Sequence, residues 1–286
     1  MTARHGGRTN RIPVVVVGGG GTSGGSGRPA RGGPWRDEDF SRYTSADHYR
    51  SNPFGWLANA PRWFNQSRIA LDPTEGYDGS PQSLRYDWWG NGASGCGNDI
   101  TIATSYKAPP ASEVWIEAVH KFAATFNTNV IGRGGACKFG EYKFLLFWRP
   151  AGDRFDLING KHGREWWSAN PETPAFGSPP ACSGSNYNCR VPALGSNPLW
   201  DGQWHVYRAH IRFSSARGVP DGVFELWVDG RLVKSRQGID MTNSGSGNWS
   251  NRLSEIFLGS NSNAGTGQPT HTWWGRLRIY TSDPGW

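Results

Sequence analysis

The chain has 286 residues, with 30 Lys and Arg against 23 Asp and Glu, a formal charge of +7. Hydrophobic residues make up only 36%, yet 16 Trp and 13 Phe supply the large apolar surface that a sizeable core needs. The 40 Gly and 19 Pro exclude long helices and call for many turns, and no stretch is apolar for long enough to span a bilayer as a helix.

Residues 1–34 read as a flexible arm. They hold Arg4, Arg8, Arg11, Arg28 and Arg31, no acid, and a Gly/Ser run from Gly18 onward. Such an arm suits anionic partners, whether acidic glycan, nucleic acid or acidic protein surface. Val14, Val15, Val16 and Val17 form a β-branched apolar run, too short for a signal-peptide core. Two readings stand for this run: a disordered segment, or a strand that docks on a neighbouring subunit's sheet edge.

The body, residues 35–286, opens with a mixed aromatic lead-in over 35–70, where Trp56, Trp63 and Phe64 are the candidate anchors. Strand-like runs then recur between turn signals. They are Ser83–Trp89, Ile100–Thr104, Glu113–Phe126, Tyr142–Arg149, Arg154–Ile158, Gln203–Phe213, Gly222–Val228, Arg231–Lys234, Glu255–Leu258 and Trp273–Thr281. Asp229-Gly230 predicts a tight hairpin between two of them. The region from Trp166 to Leu199, rich in Pro, Gly, Ser and Asn, reads as one long loop. With no helical spacers, the pattern predicts an all-β protein of two packed antiparallel sheets.

Four cysteines allow two disulfides. Cys182 and Cys189 flank a short polar loop, and Cys96 and Cys137 are the remaining pair. Oxidised pairs imply an extracellular or virion-exposed setting, and four reduced thiols are the alternative. No Cys-x-x-Cys pair with matching His occurs, so no zinc site is expected.

Alternation assigns the faces. In Gln203–Phe213 the set His205, Tyr207, Ala209, Ile211 and Phe213 points to the core. Trp204, Val206, Arg208, His210 and Arg212 point outward. In the next strand Phe224, Leu226 and Val228 oppose Val223, Glu225 and Trp227. Glu113 and Glu117 share one face of their strand, and each pair among Trp88-Trp89, Trp166-Trp167 and Trp273-Trp274 sends one ring to each face.

Several stretches come in a familiar order: Ser83-Leu84-Arg85-Tyr86, Glu113-Val114-Trp115-Ile116-Glu117, Tyr142-Lys143-Phe144-Leu145 and Asp201-Gly202-Gln203-Trp204-His205. Glu225-Leu226-Trp227-Val228-Asp229-Gly230 and the ending from Trp274 to Trp286 complete the set. From about Leu71 onward the chain resembles the concanavalin A-like lectin/glucanase superfamily, in particular the heparin-lyase-like and laminin-G-like jelly rolls of polysaccharide-active and phage-associated proteins. That resemblance implies a jelly-roll sandwich and a glycan-facing surface.

Lyases of this kind abstract a proton beside a uronate with a basic or phenolic group and neutralise its carboxylate with cations. The implied candidates are His210 and Tyr86, with Arg208, Arg212 and Arg85 as carboxylate partners. The Gln-Ile-His and Tyr-Phe-Lys-x-Gly strands of alginate lyases are missing, as is the Glu-x-Asp-x-x-Glu strand of the glucanases. The leading expectation is therefore a non-enzymatic module. It binds carbohydrate or a partner surface through Trp115, Glu117, Arg208, His210, Arg212, Glu225 and Trp227, with the arm tethering it to an assembly. A polysaccharide lyase and a purely structural coat protein are the alternatives. No cofactor is expected. Asp78, Asp99, Asp153 and Asp229 are the acids that laminin-G-like calcium sites bring to mind, but no Asp-rich calcium loop is present. No nucleic-acid reader motif occurs in the sandwich.

Overall fold

In the computed structural model, the described residues are 32–58, 66–88, 100–126, 142–148, 154–161, 164–171, 190–191, 201–239, 250–262 and 269–286. The valine run of the arm, all four cysteines, Trp63, Phe64, Trp89, Asp99 and Asp153 lie outside them, as do the side chains of Trp166 and Trp167.

The strands in chain order are β1 (Arg36–Glu38), β2 (Ile69–Asp72), β3 (Ser83–Trp88), β4 (Ile100–Lys107), β5 (Glu113–Phe122), β6 (Tyr142–Trp148) and β7 (Arg154–Lys161). They continue as β8 (Arg164–Pro171), β9 (Arg190–Val191), β10 (Trp204–Arg212), β11 (Gly222–Val228), β12 (Arg231–Ile239), β13 (Glu255–Ser262) and β14 (Thr270–Tyr280). An eight-stranded sheet has the order β12-β11-β10-β5-β14-β3-β2, with β1 added to β14. A six-stranded sheet has the order β4-β13-β6-β7-β8-β9. Every strand pair is antiparallel. Among the described residues one α-helix occurs, α1 (Ala46–Arg50), capped by the Ser45 side chain.

The core lies between the sheets. Tyr86, Val114, Ile116, Ala118, Tyr207, Ala209, Ile211, Phe224, Leu226, Trp274, Leu277 and Ile279 face Ile102, Tyr106, Leu145, Phe147, Ile256 and Leu258. The alternation read in β10 and β11 holds, with one exception: Val223, expected outward, is only 5% exposed beside a register irregularity at the start of β11. The β11–β12 turn closes on Asp229 (φ 49°) and Gly230 (φ 78°). Both are left-handed, as a primed two-residue turn requires.

Two expectations are corrected. Residues 166–171, read as the start of a long loop, belong to a strand paired with β7, and Arg190–Val191 pairs with it in turn. The strand expected to reach Phe126 ends at Phe122, after which Ala123–Phe126 makes a turn that buries Phe126. In the lead-in Trp56 packs partly buried against the core as expected, and among the described residues Phe40, Tyr43, Tyr49 and Leu57 are buried beside it. There Arg36 and Arg42 lie over Trp56 at 5.0 and 4.1 Å, with Trp35 and Phe54 beyond them at 4.8 Å each. Burial holds the Arg36 guanidinium below its ordinary pKa, yet it still donates to the Trp56 and Lys107 carbonyls.

Candidate functional site

The outer face of the eight-stranded sheet gathers all seven proposed glycan-binding residues. Antiparallel register sets them in rows across the strands. One row runs Leu232, Trp227, Arg208, Glu117, Arg278 and Asp37. The next runs Ser235, Glu225, His210, Trp115 and Tyr280. Arg212 follows along β10, opposite Glu113.

Charges alternate along the first row and pair. Arg208 Nε donates to Glu117 Oε2 at 2.8 Å, and Arg278 Nη1 donates to Glu117 Oε1 at 3.0 Å. Asp37 accepts from Arg276 at 2.7 and 2.8 Å and from Arg278 at 3.3 Å. Burial works against the Asp37 charge, but these guanidinium contacts outweigh it and hold its carboxyl below the usual range. The Glu117 side chain is only 7% exposed, so its two arginines are what make its burial tolerable.

His210 is locked from three sides. Its ring stacks on Trp115 at 4.7 Å between centroids and 5° between planes. Nδ1 lies 3.0 Å from Glu225 Oε2 and Nε2 lies 2.9 Å from Glu113 Oε1. Glu225 also accepts from Ser235 and Gln237. Burial alone would raise its carboxyl, but His210, Gln237 and Ser235 together pull it below the ordinary value. Both ring nitrogens of His210 are thus turned to carboxylates rather than to the open surface.

The lyase candidates do not assemble. Tyr86 lies on the inner face, fully buried, with its hydroxyl bonded to Leu258 O and Thr104 Oγ1, so it faces the core and not the surface. Arg85 is on the outer face, but β3 stands three strand spacings from β10, about 14 Å. There it pairs with Asp87 at 2.7 Å and Asp72 at 3.2 Å. Arg208, His210 and Arg212 do stand together on β10. Arg212, exposed, donates to the Asp221 carbonyl.

Of the acids considered for calcium, the two described ones, Asp78 and Asp229, are engaged otherwise. Asp229 accepts from Val206 N–H at 2.8 Å and faces His205 Nδ1 at 2.7 Å, and Asp78 faces Arg276. Among the described residues no group of three or more His, Cys, Asp or Glu is disposed to hold a metal.

Sequence reasoning missed part of this face. Tyr280 and Arg278 follow from alternation along β14, and Glu113 from its spacing to Trp115 and Glu117. Trp286 carried no such signal. It returns over the sheet, with its ring 5.0 Å from Arg208 Cζ and 5.6 Å from the Tyr280 ring. The turn that brings it back places Gly285 at φ 70° and bonds its N–H to Asp283 Oδ1.

No family model matches the chain, and no curated protein matches it in sequence. Solved structures do. Two mutants of the alginate lyase Aly36B are among them. The form in complex with alginate trisaccharide superposes with a TM-score of 0.57 at 13% identity, covering 89% of this chain and 100% of that one. The form in complex with alginate tetrasaccharide gives 0.55 at 14% identity, covering 86% and 96%. At this identity the likeness is one of fold. With its two antiparallel layers, the body of the chain has the fold of these structures, an all-β jelly-roll sandwich.

Proposed function

We propose that the chain is a non-enzymatic jelly-roll module, outside the cell or on a virion surface, that binds carbohydrate through the outer face of its eight-stranded sheet. The observation that carries this reading is the lattice of Trp115, Trp227 and Tyr280 rings interleaved with the Arg208–Glu117 and His210–Glu225 pairs. Aromatic faces take the C–H surface of a sugar, and paired polar groups meet its hydroxyls. The arm tethers the module to an assembly or to other copies of itself. Among the described residues no helix is long and apolar enough to cross a membrane.

A second reading, a polysaccharide lyase, is favoured by the likeness to lyase structures holding alginate oligosaccharides. It meets an obstacle on this face. Eliminative cleavage needs a base with a free lone pair and cations free for the uronate carboxylate. Both His210 nitrogens lie against carboxylates, and Arg208, Arg278 and Arg85 each face an acid, while Arg212 is exposed and bonded to the Asp221 carbonyl. A lyase working on this face would have to displace these pairs, and the outer side of the six-stranded sheet is the alternative place for its chemistry. Ala103, Leu146 and Phe257 form a separate buried cluster in that sheet.

The two readings separate in an ultraviolet assay for the unsaturated product of lytic cleavage. No signal is expected on alginate, glucuronan-like or heparin-like polymers. Turnover on any of them would overturn the non-enzymatic reading; its loss in His210→Ala would place the chemistry on this face, and its survival would place it elsewhere.

A further inference from the structure

The class of sugar is narrowed by the charge pattern of the same face, and the inference rests on the carbohydrate reading above. We infer that this face takes a neutral polysaccharide rather than an acidic one, and that Trp286 belongs to the binding platform.

Charge comes first. Around the centre of the face Arg208, Arg276 and Arg278 stand against Glu117, Asp37 and Asp78, and each guanidinium contacts at least one of these carboxylates. His210 is held between two further acids, Glu113 and Glu225. The surface is thus neutral to acidic although the whole chain carries +7. At the centre of the face a uronate could reach Arg208 only in competition with Glu117, while Arg212, exposed and bonded to the Asp221 carbonyl, stands at the end of β10 away from that pair. Such competition would take from a nearly buried carboxylate one of its two counter-charges. A sugar hydroxyl asks for no such exchange. It donates to a carboxylate oxygen and accepts from a guanidinium N–H at once, so it adds to an Arg–Glu pair without breaking it.

The rings come second. Trp227 is the cross-strand neighbour of Arg208, and Trp115 that of Tyr280. Trp286, returning from beyond β14, contacts both Tyr280 and Arg208. Four rings therefore surround one charge-balanced pair, and each is half-buried, leaving part of its surface open. Surface tryptophans are costly to leave facing water unless a partner covers them. Rings without net charge in reach select the C–H faces of uncharged pyranoses.

Affinity electrophoresis of the full chain tests this, with hydroxyethyl cellulose, xyloglucan and laminarin as neutral probes and alginate and polyglucuronate as acidic ones. Retardation by at least one neutral polymer is expected, unchanged between low and high salt. Trp286→Ala and Trp227→Ala should each weaken it by about tenfold or more, roughly what the loss of one good stacking contact gives. Trp286→Phe, which keeps an aromatic ring, should retain most of it. Unchanged thermal midpoints in these variants would show that folding is not what was lost. Retardation by the acidic polymers alone, or neutral binding indifferent to both alanine substitutions, would overturn the inference while leaving carbohydrate binding in place. Retardation by none of the five would overturn both.

Discussion

At the scale of single residues, the outer face shows how buried acids are made tolerable. Asp72 is 5% exposed, and burial alone would raise its carboxyl. Hydrogen bonds from the Thr74 hydroxyl and N–H, Trp273 Nε1 and Arg85 more than offset that and hold it at about 2. A carboxyl depressed in the folded state contributes stability that is present above its unfolded value and lost as pH falls through the folded one. The contribution of Asp72 should therefore fade between about pH 4 and pH 2, from at most about 2 kcal/mol after allowance for solvent screening. Asp72→Asn should lower stability near neutrality by that order, and the gap to the parent should close toward pH 2. A gap that stays constant across urea midpoints in this range would contradict it. His205 has the opposite sign. Burial disfavours its charge, but Asp229 and Asp201 outweigh that and raise it, so its contribution is full at low pH and lost as pH rises through the raised value. Individual roles were only partly legible in the sequence. The parity of Arg208, His210 and Glu225 announced an outward face. That Glu113 and Glu225 would both close on His210 depended on which strands became neighbours of β10, and no local pattern encodes that.

Among the elements, β13 carries the sharpest constraint. Gly259 sits inside it at φ 80°, where a Cβ would lie 2.4 Å from the Ile102 carbonyl oxygen and 2.5 Å from the Tyr86 ring. The pairing of β13 with β6 is interrupted over the same stretch. Gly259 thus lets the Tyr86 ring press against the strand while the Tyr86 hydroxyl reaches Leu258 O. Gly259→Ala combines a left-handed backbone with a clash against main chain and should cost about 3 kcal/mol or more. A loss below about 1 kcal/mol in denaturant unfolding would mean that the bulge relaxes freely. Element positions were largely readable, because β10, β11 and the Asp229-Gly230 turn obey period two and primed-turn chemistry. β1 was not readable. Arg36-Asp37-Glu38 looks like a solvated charge run, yet Arg36 is 6% exposed and Glu38 fully buried, its carboxylate accepting from Tyr43 Oη and Phe40 N. Tertiary partners, not propensity, make those residues a strand.

For the molecule as a whole, the arm bears on assembly. A Gly, Ser and Arg composition cannot bury enough surface to offset its ordering entropy, while Val14–Val17 is costly to display on its own. We propose that the valine run adds to a neighbouring copy. A flexible linker of about fifteen residues spans roughly 20 Å, enough to reach one. Full-length protein should then exceed monomer mass in light scattering, and a form lacking Met1–Gly33 should be a folded monomer. Equal masses for the two would reduce the arm to a passive leader.

The position of β14 has a consequence for how this chain comes to be folded. It lies between β5 and β3 and also receives β1. Without residues 270–280 the larger sheet exists only as two fragments, β12-β11-β10-β5 and β3-β2, each ending in an unsatisfied edge. On the ribosome those edges wait for the final strand, so the sandwich closes in one late step rather than growing from its first residues onward. Each contact that β14 makes with β1 and β3 joins positions separated by most of the chain, which places refolding at the slow end for domains of this size. The rows of charge and aromatic rings on the outer face come into register in that same step, since Arg278 and Tyr280 are contributed by the strand that arrives last.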